Sequence, residues 1–156
     1  MIAATIAWLS QDIFQVVAMG FMLAPEFFLL MLLYGLVSGP LLPHRVAGWV
    51  WFAFFGGVLW DLRWATTPGM SALINIAAVA LVYWVWNRTP AGGRGALLFA
   101  ALAGSAIFMS GMAHYFAWSV PSRAAMRLFL IQQLITVPFL IALGTLYAYK
   151  ARKTNV

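Results

Sequence analysis

The chain has 156 residues, of which 65% are hydrophobic and 8% are charged, and its formal net charge is +6. A soluble domain is about half apolar and about a quarter charged, so this composition excludes a water-soluble globule. The absence of cysteine excludes disulfides and thiolate metal sites. No run of basic residues resembles a nucleic-acid-binding tail. We therefore expect an all-α integral membrane protein that contacts the lipid bilayer and no nucleic acid.

Hydropathy predicts about six transmembrane helices in one bundle that forms a single domain, residues 1–156. A spanning helix needs about 20 mostly apolar residues. The intervening segments are short and rich in turn-forming residues, so no extramembrane domain is expected. In chain order, the predicted spans are Ile2–Ala24, Glu26–Leu42, Val46–Leu62, Met70–Trp86, Gly95–Trp118 and Ala124–Tyr149.

The first span carries a polar face made of Gln11, Asp12 and Gln15 near its predicted middle. A charged residue at the bilayer centre costs roughly 2.5–3.5 kcal/mol, so this face is expected to turn away from lipid. It either joins the helix to others in the same chain or lines a ligand cavity or partner contact, and interhelical packing is the commoner use. Three further residues are predicted to complete the same intramembrane polar network: Asn75, Gln132 and Gln133.

The third span has Ala53, Gly57 and Asp61 at four-residue spacing. Small residues at this spacing allow two helices to approach closely, so Gly57 predicts a tight contact with a neighbour. Asp61 lies at the end of this stripe. Two interpretations remain open: the carboxylate marks a specific contact, or it faces water or pairs locally with Arg63.

The distribution of Lys and Arg predicts that both termini are cytoplasmic. With that orientation, Glu26 and Asp61 fall on the outer side of the membrane. The outer segments also hold Arg63, Arg123 and Arg127. The inner segments hold twice as many basic residues, namely Arg45, Arg88, Arg94, Lys150, Arg152 and Lys153.

The sequence predicts no catalytic, metal or cofactor site. Its three acids are spread over different predicted spans and depths, and His44 and His114 fall on opposite sides of the membrane. Met109 and Met112 precede His114 and are ligand types for soft metals. Methionine is also common packing filler, and that interpretation is favoured here.

The order of several residues forms a recognisable pattern over the first two-thirds of the chain. Gln11 on the first helix is followed by Pro25 and Glu26, which open the second. A glycine-bearing third helix ends in an Asp-Leu pair, and a glycine-containing turn leads into Ser-Ala-Leu at the fourth helix. These segments are Gly56-Gly57-Val58-Leu59-Trp60-Asp61-Leu62 and Pro68-Gly69-Met70-Ser71-Ala72-Leu73. This order resembles the MreD family of bacterial rod shape-determining membrane proteins.

The resemblance implies a non-enzymatic scaffold in the bacterial cytoplasmic membrane. Such a protein would bind the bitopic protein MreC and work with MreB, RodA and a class B penicillin-binding protein in lateral peptidoglycan synthesis. The family is similar in topology to the substrate-binding subunits of energy-coupling-factor vitamin transporters, which supply the alternative function. On the scaffold interpretation, the candidate partner-binding residues lie around the turn after the third helix: Gly57, Asp61, Arg63, Pro68 and Gly69.

Overall fold

A computed structural model describes residues 1–18, 23–64, 68–117 and 123–154. Within these ranges the chain forms six α-helices and one short 3₁₀ helix, with no strand. Three parts of the predicted arrangement lie outside the described residues: the tail of the first span over 19–22, the turn over 65–67 and the loop over 119–122. The helices are α1 (Ile2–Val17), α2 (Phe27–Val37), α3 (Pro43–Trp64), α4 (Met70–Arg88), α5 (Ala96–Ala117) and α6 (Arg123–Thr154), and the 3₁₀ helix covers Ala91–Gly93.

Three helical segments are long and apolar enough to cross a membrane: Met70–Arg88, Ala96–Phe116 and Arg123–Lys153. The chain is therefore an all-α membrane protein, as predicted. Six helices are present among the described residues, as predicted, and these three of them meet the length and hydropathy of a membrane span. Helix α1 has 16 residues and α2 has 11. At a rise of about 1.5 Å per residue, both are shorter than the roughly 30 Å hydrocarbon core.

The first two spans were predicted too long for identifiable reasons. Helix α1 ends at Val17, and the Gln15 side chain then accepts a hydrogen bond from the Ala24 amide at 2.8 Å. The polar residues Gln11 and Asp12 therefore lie in the second half of a short helix, and not at the middle of a span. Helix α2 ends at Val37 because Pro40, two residues beyond its C-cap, cannot continue a helix.

The helices alternate in direction, and this gives the bundle two different ends. At one end α1, α3 and α5 finish and α2, α4 and α6 begin; we call it the polar end. At the other, the basic end, Lys150 of α6 donates a hydrogen bond to the Ser38 carbonyl at 2.9 Å. There, the Tyr147 hydroxyl of α6 also donates to the Arg94 carbonyl at 3.1 Å.

Helix α2 is the central element of the core and contacts each of the other five helices. Its Leu29, Leu32 and Leu33 are fully buried. Because protein surrounds it, this very apolar helix needs no lipid contact along its length and can be short. The outer helices instead expose large apolar side chains, such as Val17 of α1 and Leu134 of α6, as expected for surfaces that face lipid.

Candidate functional site

Gly57 brings α3 and α4 into close contact near the polar end. The residue is buried, and a Cβ atom added there would collide with the Cα atom of Ala72. Ala53, one turn earlier, is also fully buried. The small-residue stripe therefore allows α3 to approach the backbone of α4, as its spacing predicted.

Asp61 caps the N-terminus of α4 from this neighbouring helix. Its side chain is almost fully buried, at 1% exposure, and its Oδ2 and Oδ1 atoms accept from the Ser71 amide at 2.9 and 3.2 Å. Helix α4 has no side-chain cap of its own, and Gly69 supplies the left-handed N-cap conformation at φ +88°. A carboxylate at this position satisfies an otherwise unpaired amide and complements the helix dipole. Asp61 therefore fixes the start of α4.

The alternative that Asp61 pairs locally with Arg63 or faces water was wrong. Arg63 forms its ion pair with α1 instead, where its Nε atom lies 3.0 Å from Oδ1 of Asp12. The same Oδ1 accepts from the Trp64 indole nitrogen at 2.8 Å. Asp12 is buried, whereas the Arg63 side chain is 53% exposed. This pair of contacts ties the end of α1 to the end of α3.

Gln11 caps the N-terminus of α2 from a neighbouring helix, in the same way that Asp61 caps α4. Its Oε1 atom accepts from the Phe28 amide at 2.9 Å in a buried position. Like α4, α2 has no side-chain cap of its own. Just upstream, the Ala24 amide is held by Gln15, and the Ala24 carbonyl accepts from Nε2 of Gln132 at 2.8 Å. Side chains from α1 and α6 therefore satisfy the backbone where α2 begins.

A second chain of contacts, which the sequence analysis missed, links α2, α4 and α5. The Ser110 hydroxyl donates to Glu26 Oε1 at 3.0 Å. His114 Nδ1 lies 2.8 Å from the Ser110 carbonyl, and its Nε2 lies 3.0 Å from the Ser71 hydroxyl. A carbonyl only accepts, so Nδ1 carries a proton, and Nε2 and the Ser71 hydroxyl form the second hydrogen bond of the ring. The sequence feature that could have predicted these contacts is the i, i+4 spacing of Ser110 and His114, two polar residues on one face of an apolar helix.

These groups surround a small polar cavity. The volume open to the centre of a water molecule is about 10 Å³, which is room for about one water. Within this cavity, the polar side chains therefore serve contacts between helices of the same chain. Its lining is Trp8, Gln11, Glu26, Phe28, Trp60, Ser71, Asn75, Ser110 and His114.

The Ser71–His114 pair has the atoms of a nucleophile and its base. A serine nucleophile needs backbone donors that stabilise the oxyanion formed during acyl transfer. The amide of Ser71 itself is instead bonded to Asp61. The adjoining cavity, as the described residues line it, has room for about one water.

The predicted network residues lie at the polar end, and three of the six, Gln11, Gln15 and Gln132, bind backbone groups. Asn75 is buried beside the cavity, and Nε2 of Gln133 is buried with no hydrogen-bond partner among the described residues. The partner-binding candidates form two sets. Gly57 and Asp61 are buried, whereas Arg63, Pro68 and Gly69 are exposed.

Comparison of the chain with known proteins found no matching family model, no matching curated protein and no matching solved structure.

Proposed function

We propose that this chain is a non-enzymatic membrane scaffold of the bacterial cell-elongation (rod) complex. It binds an MreC-like bitopic partner and helps to organise lateral peptidoglycan synthesis and to maintain rod shape. RodA, a class B penicillin-binding protein and MreB are its further partners within that complex.

One observation carries this proposal. The residues that resemble the MreD pattern are spread over four helices in sequence, yet they meet at the polar end in specific contacts. Gln11 accepts a hydrogen bond at the start of α2, and Asp61 accepts one from the amide of Ser71. Gly57 has no side chain and so allows the α4 backbone to pack closely against α3. These contacts give the residues of the pattern one shared location, and that convergence supports the resemblance.

The partner surface on this proposal is the exposed side of the α3–α4 junction. Arg63, Pro68 and Gly69 are exposed there, and they adjoin the apolar side chains of Leu62 and Leu73, at 73% and 65% exposure. A helix with a mixed apolar and polar face fits such a surface. Gly57 and Asp61 act as positioning residues that hold the junction in place.

The charge distribution supports a cytoplasmic-membrane location with both termini in the cytoplasm. Six of the nine Lys and Arg residues belong to the basic end, whereas the three arginines of the polar end are balanced by the three acids of the chain. Short segments rich in Lys and Arg stay on the cytoplasmic side.

The alternative function, a vitamin-binding transporter subunit, needs a pocket for its ligand. The cavity that the described residues line at the polar end has room for about one water. A cavity of that volume does not hold a vitamin.

Co-purification from native membranes tests the proposal. We expect a single-span partner to be recovered with the protein, and depletion of the protein to convert rods into rounded cells. Recovery of a stoichiometric vitamin-like molecule without such a partner, in cells of unchanged shape, would contradict it.

A further inference from the structure

Two cations converge on the last turn of α2 at the basic end. Lys150 Nζ donates to the Ser38 carbonyl at 2.9 Å, and Arg45 Nη2 lies 3.5 Å from the Gly35 carbonyl. Gly39 has no side chain, and the Arg45 guanidinium occupies the place that a Cβ atom would take. The C-terminus of a helix carries only about half a negative charge. Two cationic side chains therefore contact carbonyls at the same end of α2.

An open cavity lies beside these cations. About 220 Å³ is open to the centre of a water molecule, and Ser38, Gly39, Tyr147 and Lys150 line it together with Val37 and Ala151. The Ser38 hydroxyl oxygen is buried and has no hydrogen-bond partner among the described residues. The cavity thus combines a cationic group with a hydroxyl that no other described residue binds.

Among the side chains that the structure describes, the acids lie at the opposite end of the bundle from this cavity. All three acids of the chain, Asp12, Glu26 and Asp61, belong to the polar end. The other basic residues of the basic end are Arg88, Arg94, Arg152 and Lys153. An anion at this site would therefore be attracted by several charges at once.

We propose that this cavity binds the phosphate headgroup of an anionic phospholipid. Lys150 and Arg45 attract the phosphate, and the Ser38 hydroxyl donates a hydrogen bond to one of its oxygens. Basic pockets between membrane helices suit such headgroups. The neighbouring α6 residues Leu146 and Tyr149 are 53% and 69% exposed. They offer an apolar surface for acyl chains, which a soluble phosphate would not use.

Lipid binding to the purified full chain tests this site. The protein in neutral detergent is titrated with phosphatidylglycerol, cardiolipin or phosphatidylcholine, and bound lipid is counted by native mass spectrometry alongside the melting temperature. We expect the two anionic lipids to bind at least fivefold more tightly than phosphatidylcholine and to raise the melting temperature.

Variants separate lipid binding from folding. Lys150→Gln and Arg45→Gln should each weaken anionic lipid binding severalfold, but both also remove a contact to the end of α2. Ser38→Ala leaves both contacts intact and should still weaken binding, by about threefold. The control Arg123→Gln removes a charge at the polar end and should bind lipid normally.

Three results would overturn the proposal: equal binding of phosphatidylcholine, unchanged binding in both Lys150→Gln and Ser38→Ala, or displacement of the lipid by equimolar inorganic phosphate. The last result would assign the cavity to a soluble anion.

Discussion

At the scale of single residues, the polar end depends on side chains that satisfy backbone amides of another helix. Asp61 and Gln11 each bind the second amide of a helix that lacks a side-chain cap of its own. In an apolar environment an amide without a partner is expensive. These two polar residues therefore determine where α4 and α2 begin.

Substitution of Asp61 tests the cap. Asp61→Ala leaves the Ser71 amide unpaired and should lower the free energy of unfolding by about 1–2 kcal/mol. Asp61→Asn keeps an acceptor oxygen but loses the charge, so its effect should be smaller. Thermal unfolding in one detergent measures both variants. Equal stability of wild type, Asn and Ala would refute the capping role.

Gly57 offers a steric test of the α3–α4 contact. Gly57→Ala places a methyl group against the α4 backbone at Ala72 and should destabilise the protein by roughly 1–3 kcal/mol. Gly144→Ala is the matched control, because a Cβ atom at Gly144 meets no atom within 4 Å. That control should be neutral or stabilising, since alanine favours helix. If both variants melt at the same temperature, the close approach does not limit stability.

The sequence predicted part of this residue-level arrangement. The four-residue spacing of Ala53, Gly57 and Asp61 was enough to predict a close helix contact. The partner of Arg63 was not predictable, because Asp12 is 51 positions away in the chain and becomes its neighbour only through packing. The same holds for Ser110 and Glu26, which are 84 positions apart.

At the scale of elements, α2 is a short helix held by its neighbours. Its start is bound by Gln11 and its last turn by Lys150. Its buried leucines pack against the other helices. Hydropathy alone predicted a full span here, because a helix buried in protein and a helix exposed to lipid have the same apolar composition.

Substitutions at two glutamines test the cap of α2. Gln11 binds a backbone amide, whereas Nε2 of Gln133 has no hydrogen-bond partner among the described residues. Gln11→Leu leaves the Phe28 amide unpaired and should lower stability by about 1–3 kcal/mol and speed amide exchange at Phe28. Gln133→Leu removes an amide nitrogen that is buried without a partner among the described residues, so it should be neutral or stabilising. Hydrogen exchange and melting curves measure both. A larger loss for Gln133→Leu than for Gln11→Leu would contradict this assignment.

At the scale of the whole molecule, charge separates the two ends of the bundle. The net charge of +6 belongs to the basic end, because the arginines and acids of the polar end balance. The sequence predicted this asymmetry, because the order of the helices determines which connecting segments share an end of the bundle.

Single cysteines test the orientation, because the chain contains none. Gly92→Cys at the basic end should resist a membrane-impermeant maleimide in spheroplasts and react after lysis. Ala124→Cys at the polar end should react in intact spheroplasts. Both positions are exposed. The reverse pattern of labelling would place the termini outside.

Photo-crosslinking at the α3–α4 junction tests the scaffold function most directly. A photoreactive residue replaces Leu62 or Leu73, and in the control it replaces Leu130, an exposed α6 residue of the same half of the bundle. We expect Leu62 and Leu73 to crosslink to one single-span membrane protein in native membranes, and Leu130 not to. No crosslink from the junction, or the same partner captured only from Leu130, would contradict the proposed partner surface.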